Sequence, residues 1–430
     1  MYNTTPAFLT LLSFLSLSIV MVRKENVVVP LIISMCFLPA DISVKIGTLD
    51  FYAVRIIALV ALLKIYACGD HVRIRLNVID KCFIIYNLLG TIVYLLASHD
   101  KFGAFIFKSG VFVDSIIIYL VIRYSIYSRD SIRLIIKIFS ICVIVLLPFV
   151  LFEFYSANNL FSVLGRSAIS VRDGEIRAAG TFSHAILFGS FAAALVPLFW
   201  ADYKIGKSKT RLVSIFCCVF FVYASSSSGP IVALAAMIGF LWFFKWKQYS
   251  SVLARVMFFT ALFIHVIRES PLWHFLYVRI SIKGSSTGYH RYMLVDAAVK
   301  EFSNWWLLGY GDLGPQWHTK YWPHTWATFT DVTNHYLLEG VRGGFFTMLL
   351  FIILCYKVIT TLVAYSKSQT EIDDQWLWWG VAVMMIGHCV TFLSVAYFGQ
   401  ITMLLYLTIA IAAYAYDERW FSDSLDHRDV

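Results

Sequence analysis

Charged residues are scarce in this sequence. Only 14% of its 430 residues are Asp, Glu, Lys or Arg, whereas 60% are hydrophobic and the mean hydropathy is +0.74. A water-soluble domain usually carries about a quarter charged residues. This scarcity excludes an ordinary soluble fold and predicts an all-α polytopic membrane bundle spanning residues 1–430 as a single domain.

Disulfide and metal patterns are also lacking. All eight cysteines lie within or at the ends of apolar runs, so a disulfide framework and a thiolate metal site are both disfavoured. No basic segment precedes the first apolar run, which is therefore expected to remain as a membrane span. The net charge of +9 comes without a basic helix interleaved with aromatics, so nucleic-acid binding is not predicted. We expect no metal and no cofactor.

About thirteen apolar runs are long enough to be considered as crossings of a hydrocarbon core of roughly 30 Å, and we predict twelve to fourteen spans. The predicted spans are Pro6–Val22, Val27–Pro39, Leu49–Tyr66, Ile79–Ala97, Ala104–Tyr124, Ile132–Phe154, Thr181–Trp200, Leu212–Ala224, Pro230–Phe244, Val252–Ile267, Val341–Ala364, Gln375–Tyr397 and Ile401–Tyr416. Short loops rich in Lys and Arg alternate with loops that have almost none, and the basic loops are expected to be cytoplasmic. This alternation predicts two outer segments, 155–180 and the large, partly helical loop 268–340, and a cytoplasmic tail over 417–430.

The stretch "TNHYLLEGVRGG" joins the large loop to the next span. If it begins a helix, His335, Glu339 and Arg342 are spaced at i, i+4 and i+7 and share one face. An imidazole can accept a proton near neutral pH, and Glu339 could orient it. The alternative is a satisfied interfacial histidine.

Two further arginines, Arg177 and Arg291, are predicted on the outer side with Arg342. A guanidinium suits phosphate because it forms paired charge-assisted hydrogen bonds, so the three together could clamp a diphosphate. Each could instead be a snorkelling arginine.

The large loop is dense in aromatic residues, above all in "WHTKYWPHTW". Flat rings stack on sugar faces, which makes this cluster a candidate glycan-binding site; the alternative is an interfacial aromatic belt. The candidate residues are Trp317, Trp322, Trp326 and His324.

Four segments follow one another along the chain before the last spans: "RAAGTFSHAILFGSF", "SSSSGPIVAL", "STGYHRYMLVDAAVKEFSNWWLLGYGDLG" and "TNHYLLEGVRGGFFTMLLF". Together they resemble the O-antigen ligase and polymerase superfamily of bacterial surface-polysaccharide enzymes. The resemblance implies a multi-spanning inner-membrane transferase that moves a glycan from an undecaprenyl-diphosphate carrier onto a hydroxyl of a glycan or lipid-linked acceptor, without metal or nucleotide. Its active face would be periplasmic, and polysaccharide-assembly proteins are possible partners.

The resemblance also implies roles for individual residues. Arg177 and Arg291 match the arginines thought to hold the diphosphate, and His335 matches the loop histidine, with His324 or His318 as alternatives for the base. Ligases usually follow this histidine with Asn, Ser or Gln, whereas Tyr336 follows it here. This departure favours a polymerase over a ligase that acts on lipid A core.

Two other classes remain open. A transporter or flippase would use charged groups within the spans, for which Arg55, Asp114 and Lys108 are the candidates, although Arg55 and Asp114 could equally form a structural ion pair. A non-catalytic synthase subunit is the third class. Asp41 and Asp50, in an outer loop, are the acidic pair that would support a metal-dependent variant, and they are predicted to be ordinary turn residues.

Overall fold

The fold is known from a computed structural model that describes residues 4–46, 49–68, 75–166, 170–172, 174–275, 277, 285–322 and 329–426. It is 80% helical, which confirms the predicted all-α class. The helices are α1 (Pro6–Met21), α2 (Val28–Phe37), α3 (Ala53–Ala67), α4 (Val78–Ala97), α5 (Lys101–Ser125), α6 (Arg129–Ser156), α7 (Ala185–Gly206), α8 (Lys209–Ala224), α9 (Ser228–Trp242), α10 (Ser250–Ile267), α11 (Leu272–His274), α12 (Ser285–Lys300), α13 (Phe302–Trp305), α14 (Trp317–Tyr321), α15 (His335–Ser368), α16 (Ile372–Phe392) and α17 (Gln400–Asp426).

Each of the thirteen predicted spans coincides with one of these helices. Within the described residues, seven helical runs are long and apolar enough to cross a membrane: Val78–Ala97, Lys101–Ser125, Arg129–Ser156, Ala185–Gly206, Ser228–Ile267, His335–Ser368 and Gln400–Arg419. The helices at the other predicted positions are shorter or less apolar. The chain is therefore a multi-pass membrane protein, with seven clear crossings by length and composition.

Several boundaries differ from the sequence prediction; residues 181–184 and 393–397, for example, were assigned to spans but lie outside α7 and α16. Residues Leu49–Tyr52 were assigned to a span, but they form strand β2, which pairs with β1 (Ser43–Ile46) in an antiparallel hairpin. The tail beyond Asp417 was separated from the last span, but α17 continues to Asp426. A second hairpin joins β3 (Ser170–Arg172) to β4 (Glu175–Arg177).

Three helix ends that the charge alternation predicted on one side lie together. The start of α4, the end of α5 and the last turns of α17 meet in a polar cluster: Arg123 pairs with Asp80 (Nε–Oδ1 3.3 Å) and with Asp417, and Asn77 Nδ2 donates to Ala413 O (2.8 Å). These ends flank the basic loops. At the opposite end, which we call the loop end, Asp312 from the large loop contacts the turn between α4 and α5.

The large loop has its own small core. Buried Trp305, Trp317 and Leu294 pack together with Val341 from α15, so the loop is anchored on the first turns of that helix. Trp305 Nε1 donates to Ala298 O (2.8 Å), which satisfies the one polar atom of this buried ring. The predicted partly helical loop is therefore a packed element that belongs to the bundle.

A break in α15 receives the loop. Gly344 has φ 77° and ψ 168°, so the helix ends its first segment there and restarts with Phe345. Phe345 N–H donates to Trp306 O (2.7 Å) and Tyr310 N–H donates to Val341 O (2.7 Å). The loop backbone thus satisfies groups that the interrupted helix leaves without intrahelical partners, as burial at membrane depth requires.

The same loop is also fastened to the turn between α4 and α5. The Asp312 carboxylate accepts the backbone N–H groups of His99 (2.8 Å) and Asp100 (2.9 Å). These two bonds hold the pKa of Asp312 below its usual value, and the bond from Asp100 N–H has the larger effect. The loop is therefore fixed at both α15 and α5.

Gly344→Ala should destabilise the protein. A Cβ at this position would lie 2.3 Å from Leu307 O, and the backbone conformation is one that only glycine adopts readily. We expect a loss of roughly 2 kcal/mol or more in the free energy of unfolding, measured by thermal unfolding in detergent. Gly239→Ala is the control, because a Cβ there meets nothing within 4 Å; equal melting temperatures for the two variants would contradict the close approach.

Candidate functional site

A cavity of about 560 Å³ opens at the loop end, where α3, α4, α5, α15 and α17 meet. Its wall is largely aromatic and aliphatic, with polar side chains from seven separate segments of the chain. The ionisable residues among the lining groups are Asp41, Tyr52, Arg55, Tyr86, Lys108, Asp114, His335, Glu339, Arg342, Tyr397 and Tyr406. A concave apolar chamber with a few converging polar groups is the usual form of a ligand site.

The predicted face of α15 lies on this cavity. The helix begins at His335, and the Asn334 side chain caps it by accepting Leu337 N–H (3.0 Å). His335, Glu339 and Arg342 all line the chamber. The spacing argument is confirmed: His335 is buried, Glu339 is half-buried and Arg342 is exposed, so the face runs from the interior to the cavity mouth.

Lys108 on α5 joins this face from across the cavity. Its strongest charged neighbours are Glu339 and Arg342, and its Nζ lies 4.8 Å from the centre of the Tyr94 ring. Tyr86 on α4 faces the Glu339 carboxylate. Lys108, Glu339 and Arg342 all line the cavity, so one carboxylate shares its wall with two cations, and we call these three residues the charged cluster.

The span charges Arg55 and Asp114 form an ion pair in the cavity wall. Arg55 Nε and Nη2 bind the two carboxylate oxygens at 2.5 and 2.7 Å, and Nη1 donates to Asp50 O (2.7 Å). The pair therefore ties α3 to α5, as the structural alternative predicted. With its charges matched, it contributes less net field to the cavity than the charged cluster does.

The hydrogen bonding of His335 bears directly on its predicted role. Its Nδ1 accepts Tyr397 N–H (3.3 Å), which assigns the proton of the neutral ring to Nε2. In this tautomer the ring donates a hydrogen bond and has no free nitrogen to accept a proton. The arrangement runs against His335 as a general base and leaves Glu339 as the carboxylate on that face.

His335 is held by its surroundings on several sides. Its ring centre lies 4.9 Å from that of Phe392 and 5.1 Å from that of Phe351. Behind it, Tyr397 OH lies 2.8 Å from Nδ1 of the fully buried His388. The segment joining α16 to α17 is therefore fixed against the imidazole, which limits the ring to one orientation.

The structure places Arg177 away from this cavity. Its guanidinium donates to Ser225 O (3.3 Å) and Ser227 Oγ (2.6 Å), at the turn between α8 and α9, and Ala178 N–H donates to Ala224 O (2.9 Å). Two of the motifs that carry the resemblance thus contact each other. Arg177 does not line the cavity beside the predicted α15 face.

Arg291 is likewise outside the cavity lining. It lies on α12, half-buried, near Tyr277. The Tyr277 hydroxyl in turn donates to Leu393 O (2.8 Å) and accepts from Asn334 Nδ2 (3.2 Å). Arg291 is therefore close to the helix cap beside His335 but does not share a chamber with it. The structure brings one of the three predicted arginines, Arg342, to the cavity.

The candidate glycan-binding aromatics divide into three cases. Trp317 is 2% exposed and donates from Nε1 to Tyr310 OH (3.3 Å), so its ring faces are covered by protein, which argues against the predicted stacking on a sugar. Trp322 is half-buried beside His290, with ring centres 5.9 Å apart. Trp326 and His324 lie outside the described residues. His318, an alternative base, is buried with Nδ1 3.1 Å from Thr330 Oγ1 and does not line the cavity.

The two outer aspartates also separate. Asp50 lies in strand β2 opposite Lys45, not in a turn as predicted, and its carboxylate accepts a hydrogen bond from Ser43 Oγ (2.9 Å). Asp41, however, lines the cavity. Burial raises its pKa, while Arg166, His184 and the Ser183 hydroxyl act in the opposite direction. Among the described residues, no group of three or more His, Cys, Asp and Glu side chains is placed to hold a metal ion.

Sequence reasoning missed Gln400 and Tyr397. Both line the cavity; Tyr397 lies in the short connection between α16 and α17, which carries no charge and no motif, and Gln400 is the first residue of α17. The single available signal was the Gly399 that precedes the last span, a residue that adopts φ 66° where the chain turns into α17. Gln400 bonds to Leu38 and Thr181, more than two hundred residues away, and Tyr397 bonds to His335, 62 residues away.

The tautomer of His335 generates a test. Asn can place its Oδ1 where Nδ1 of His lies, so His335→Asn should keep the bond from Tyr397 N–H and melt close to the wild type. His335→Ala should melt several degrees lower, because it removes both the bond and the ring packing. Nitrogen-15 spectra of labelled histidine, assigned by comparison with the Asn variant, should show the proton on Nε2. A proton on Nδ1 would contradict this assignment and return the base role to His335.

Comparison with known proteins provides no family for the chain: it matches no protein-family model and no curated protein. The similarity of its motifs to surface-polysaccharide polymerases and ligases therefore remains a prediction. What the chain shows plainly is a multi-pass helical membrane protein with a polar cavity at its loop end.

Proposed function

We propose that this protein is a membrane glycosyltransferase that moves a glycan from an undecaprenyl-diphosphate carrier onto a sugar hydroxyl, as a polymerase in O-antigen or exopolysaccharide assembly. The observation that carries the proposal is the charged cluster: Glu339 lines a cavity at the ends of membrane helices together with the cations Lys108 and Arg342. Transfer from a lipid diphosphate needs a proton acceptor and cations beside each other at the membrane boundary.

The cations suit a diphosphate leaving group. Arg342 is exposed at the cavity mouth, and Lys108 faces it from α5. In addition, α15 and α17 both begin at the cavity, and helix N-termini favour anions through their free N–H groups. In this proposal Lys108 and Arg342 take the diphosphate role that was first assigned to Arg177, Arg291 and Arg342.

The reaction is an inverting displacement at the anomeric carbon. The acceptor hydroxyl oxygen forms the new bond to that carbon while the bond to the carrier diphosphate breaks, and the diphosphate leaves with the electron pair. Glu339 takes the hydroxyl proton, which is a step that a positioned carboxylate accelerates. His335, with its proton on Nε2, donates a hydrogen bond into the cavity and is a catalytic residue only in that sense.

The location follows from the same proposal. Lipid-linked glycans are polymerised on the outer side of the bacterial cytoplasmic membrane, so the loop end would face the periplasm and the basic loops and the C-terminal tail the cytoplasm. The distribution of Lys and Arg supports this orientation. No metal or nucleotide takes part in the proposed reaction.

A transfer assay tests the cavity. In proteoliposomes supplied with an undecaprenyl-diphosphate oligosaccharide, we expect a ladder of products for the wild type, and a loss of roughly a hundredfold or more in rate for Glu339→Gln, Lys108→Met and Arg342→Ala. Lys101→Met is the control, because Lys101 lies at the same end of α5 and does not line the cavity.

Other outcomes of this assay are equally specific. A single product that forms only when lipid A core is added identifies a ligase. If Arg177→Ala and Arg291→Ala abolish transfer while the cavity variants retain it, the diphosphate binds elsewhere. If Glu339→Gln keeps the wild-type rate, Glu339 is not the base.

A lipid-linked-glycan flippase is the second candidate, because the Arg55–Asp114 pair lines the same cavity. The double variant Arg55→Met/Asp114→Leu removes both charges, so it should be less destabilising than Asp114→Leu alone, which leaves Arg55 without its partner. A transferase should keep its rate per folded molecule in the double variant. Loss of leaflet exchange of a fluorescent lipid-linked glycan, with no transfer in the wild type, would establish the flippase instead.

A further inference from the structure

A second polar group lines the cavity apart from the charged cluster. It consists of Asp41, Ser183 and Gln400. We call these three residues the acceptor corner, where acceptor refers to hydrogen-bond acceptors and not to the acceptor sugar. Asp41 follows α2, Ser183 precedes α7 and Gln400 is the first residue of α17. The charged neighbours of Asp41 are Arg166 and His184, whereas those of Lys108 are Glu339 and Arg342, so the two groups occupy different parts of the wall.

The orientation of the Gln400 amide is determined by its partners. Nε2 donates to Leu38 O (2.9 Å) and Thr181 O (3.2 Å). An oxygen in that position would face two carbonyl oxygens, so the amide cannot be turned round. Oε1 therefore points away from Leu38 and Thr181, as a hydrogen-bond acceptor.

This oxygen has no donor within the part of the chain that the structure describes. Gln400 is 2% exposed, it lines the cavity, and its Oε1 is buried without a hydrogen-bond partner. Buried side-chain oxygens in proteins are nearly always satisfied, so an exception needs a reason. A ligand that donates a hydrogen bond supplies one.

The corner is built on a rigid support. The buried Glu153 carboxylate accepts the N–H groups of Ala179 (3.2 Å) and Gly180 (2.9 Å), and Arg166 donates to Gly180 O. Thr181 Oγ1 donates to Cys36 O (2.9 Å). The segment between β4 and α7 is thus fixed to α6 and α2 before any ligand arrives, which is how binding sites avoid the entropy of ordering.

The chemistry of the corner favours neutral donors. Asp41 and Gln400 both present acceptor oxygens, and the Ser183 hydroxyl can act in either sense. Arg166 and His184 partly balance the charge of Asp41, which lowers the attraction for a free cation. Adjacent hydroxyls on a pyranose ring, or a hydroxyl beside an acetamido N–H, match two neighbouring acceptors.

We propose that the acceptor corner binds one sugar residue of the glycan through two of its hydroxyl or amide donors. The inference rests on the proposed function, because it names the part of the same cavity that holds the sugar. It adds Asp41 and Gln400 as binding residues and makes hydroxyl pattern, rather than aromatic stacking, the basis of sugar selection. The bound sugar belongs either to the carrier-linked donor or to the acceptor glycan, because both offer the same hydroxyl and amide hydrogen-bond donors.

The test compares each substrate with analogues in which one hydroxyl is replaced by hydrogen, in the carrier-linked glycan and separately in the acceptor. For the wild type we expect one analogue to be used about tenfold less well than its parent, on the scale of one hydrogen bond. In Gln400→Met or Asp41→Asn that ratio should fall to about one. If the poorly used analogue is a carrier-linked glycan, the acceptor corner binds the donor sugar. If it is an acceptor analogue, the corner binds the acceptor sugar.

The ratio of the rates with the parent substrate and with its analogue distinguishes a loss of sugar binding from damage to the folded structure. Damage to the structure lowers the rates of parent and analogue together and leaves their ratio unchanged, so an unchanged ratio in both variants overturns the proposal. Asp50→Asn and Gln375→Met are matched controls outside the cavity lining, and they should keep the wild-type ratio.

A binding arm distinguishes the failure of this inference from failure of the proposed function. Methyl glycosides of hexoses and 2-acetamido-hexoses, and their monodeoxy analogues, are titrated into the protein in nanodiscs and followed by tryptophan fluorescence. Binding that loses its hydroxyl discrimination in Gln400→Met, without transfer, rejects the transferase and supports the corner. If Gln400→Met transfers glycan and discriminates between hydroxyl analogues as the wild type does, the transferase is supported and sugar binding at the acceptor corner is rejected. If the wild type shows neither saturable binding nor discrimination in transfer, sugar binding at the acceptor corner is also rejected.

Discussion

The interruption of α15 at Gly344 is the feature on which the rest of the site depends. An intact helix would leave the loop backbone at Trp306 and Tyr310 without partners and would have no gap for it to enter. Because the helix breaks, Phe345 N–H and Val341 O bond to the loop instead, each at 2.7 Å. The two turns before the break then become a short separate segment, and their direction is set by the loop. That segment carries His335, Glu339 and Arg342, so one backbone exchange places the whole charged face.

Much of this was accessible from local sequence. Each predicted apolar run overlaps a helix that the structure describes, because the length of an apolar stretch indicates a membrane helix. The spacing of three ionisable residues predicted their common face, which follows from helical periodicity. What local sequence did not contain was the pairing of distant segments. The Nδ1 atom of His335 is occupied by a backbone group 62 residues further along the chain, and Gln400 binds an oxygen of Leu38. The hairpin over residues 43–52 was misassigned for a related reason: Leu49, Phe51 and Tyr52 are as apolar as a span, and only their pairing with residues 43–46 makes them a strand.

The positions of the arginines follow from what each one has to satisfy. Arg55 donates to the Asp114 carboxylate, and Arg177 donates to Ser227 at the turn between α8 and α9. Part of the hydrogen-bonding capacity of each guanidinium is therefore already used by protein oxygens. Arg342 is exposed at the cavity mouth, with Lys108 across from it. Motif order along the chain cannot distinguish these situations, because a structural arginine and a ligand-binding arginine have the same sequence signature.

The cavity is therefore asymmetric in its chemistry. Lys108, Arg342 and the N-terminus of α15 favour an anion around Glu339, while the side chains of Asp41 and Gln400 offer oxygens to donors. A lipid diphosphate is anionic at one end of its scissile bond and rich in hydroxyls at the other, so a chamber with this polarity would orient it in one direction only. Orientation of this kind accelerates transfer without any further chemical group, because it removes unproductive arrangements before the bond is made. In the proposed reaction a single carboxylate would suffice as the proton acceptor, because an oriented substrate brings one hydroxyl to Glu339.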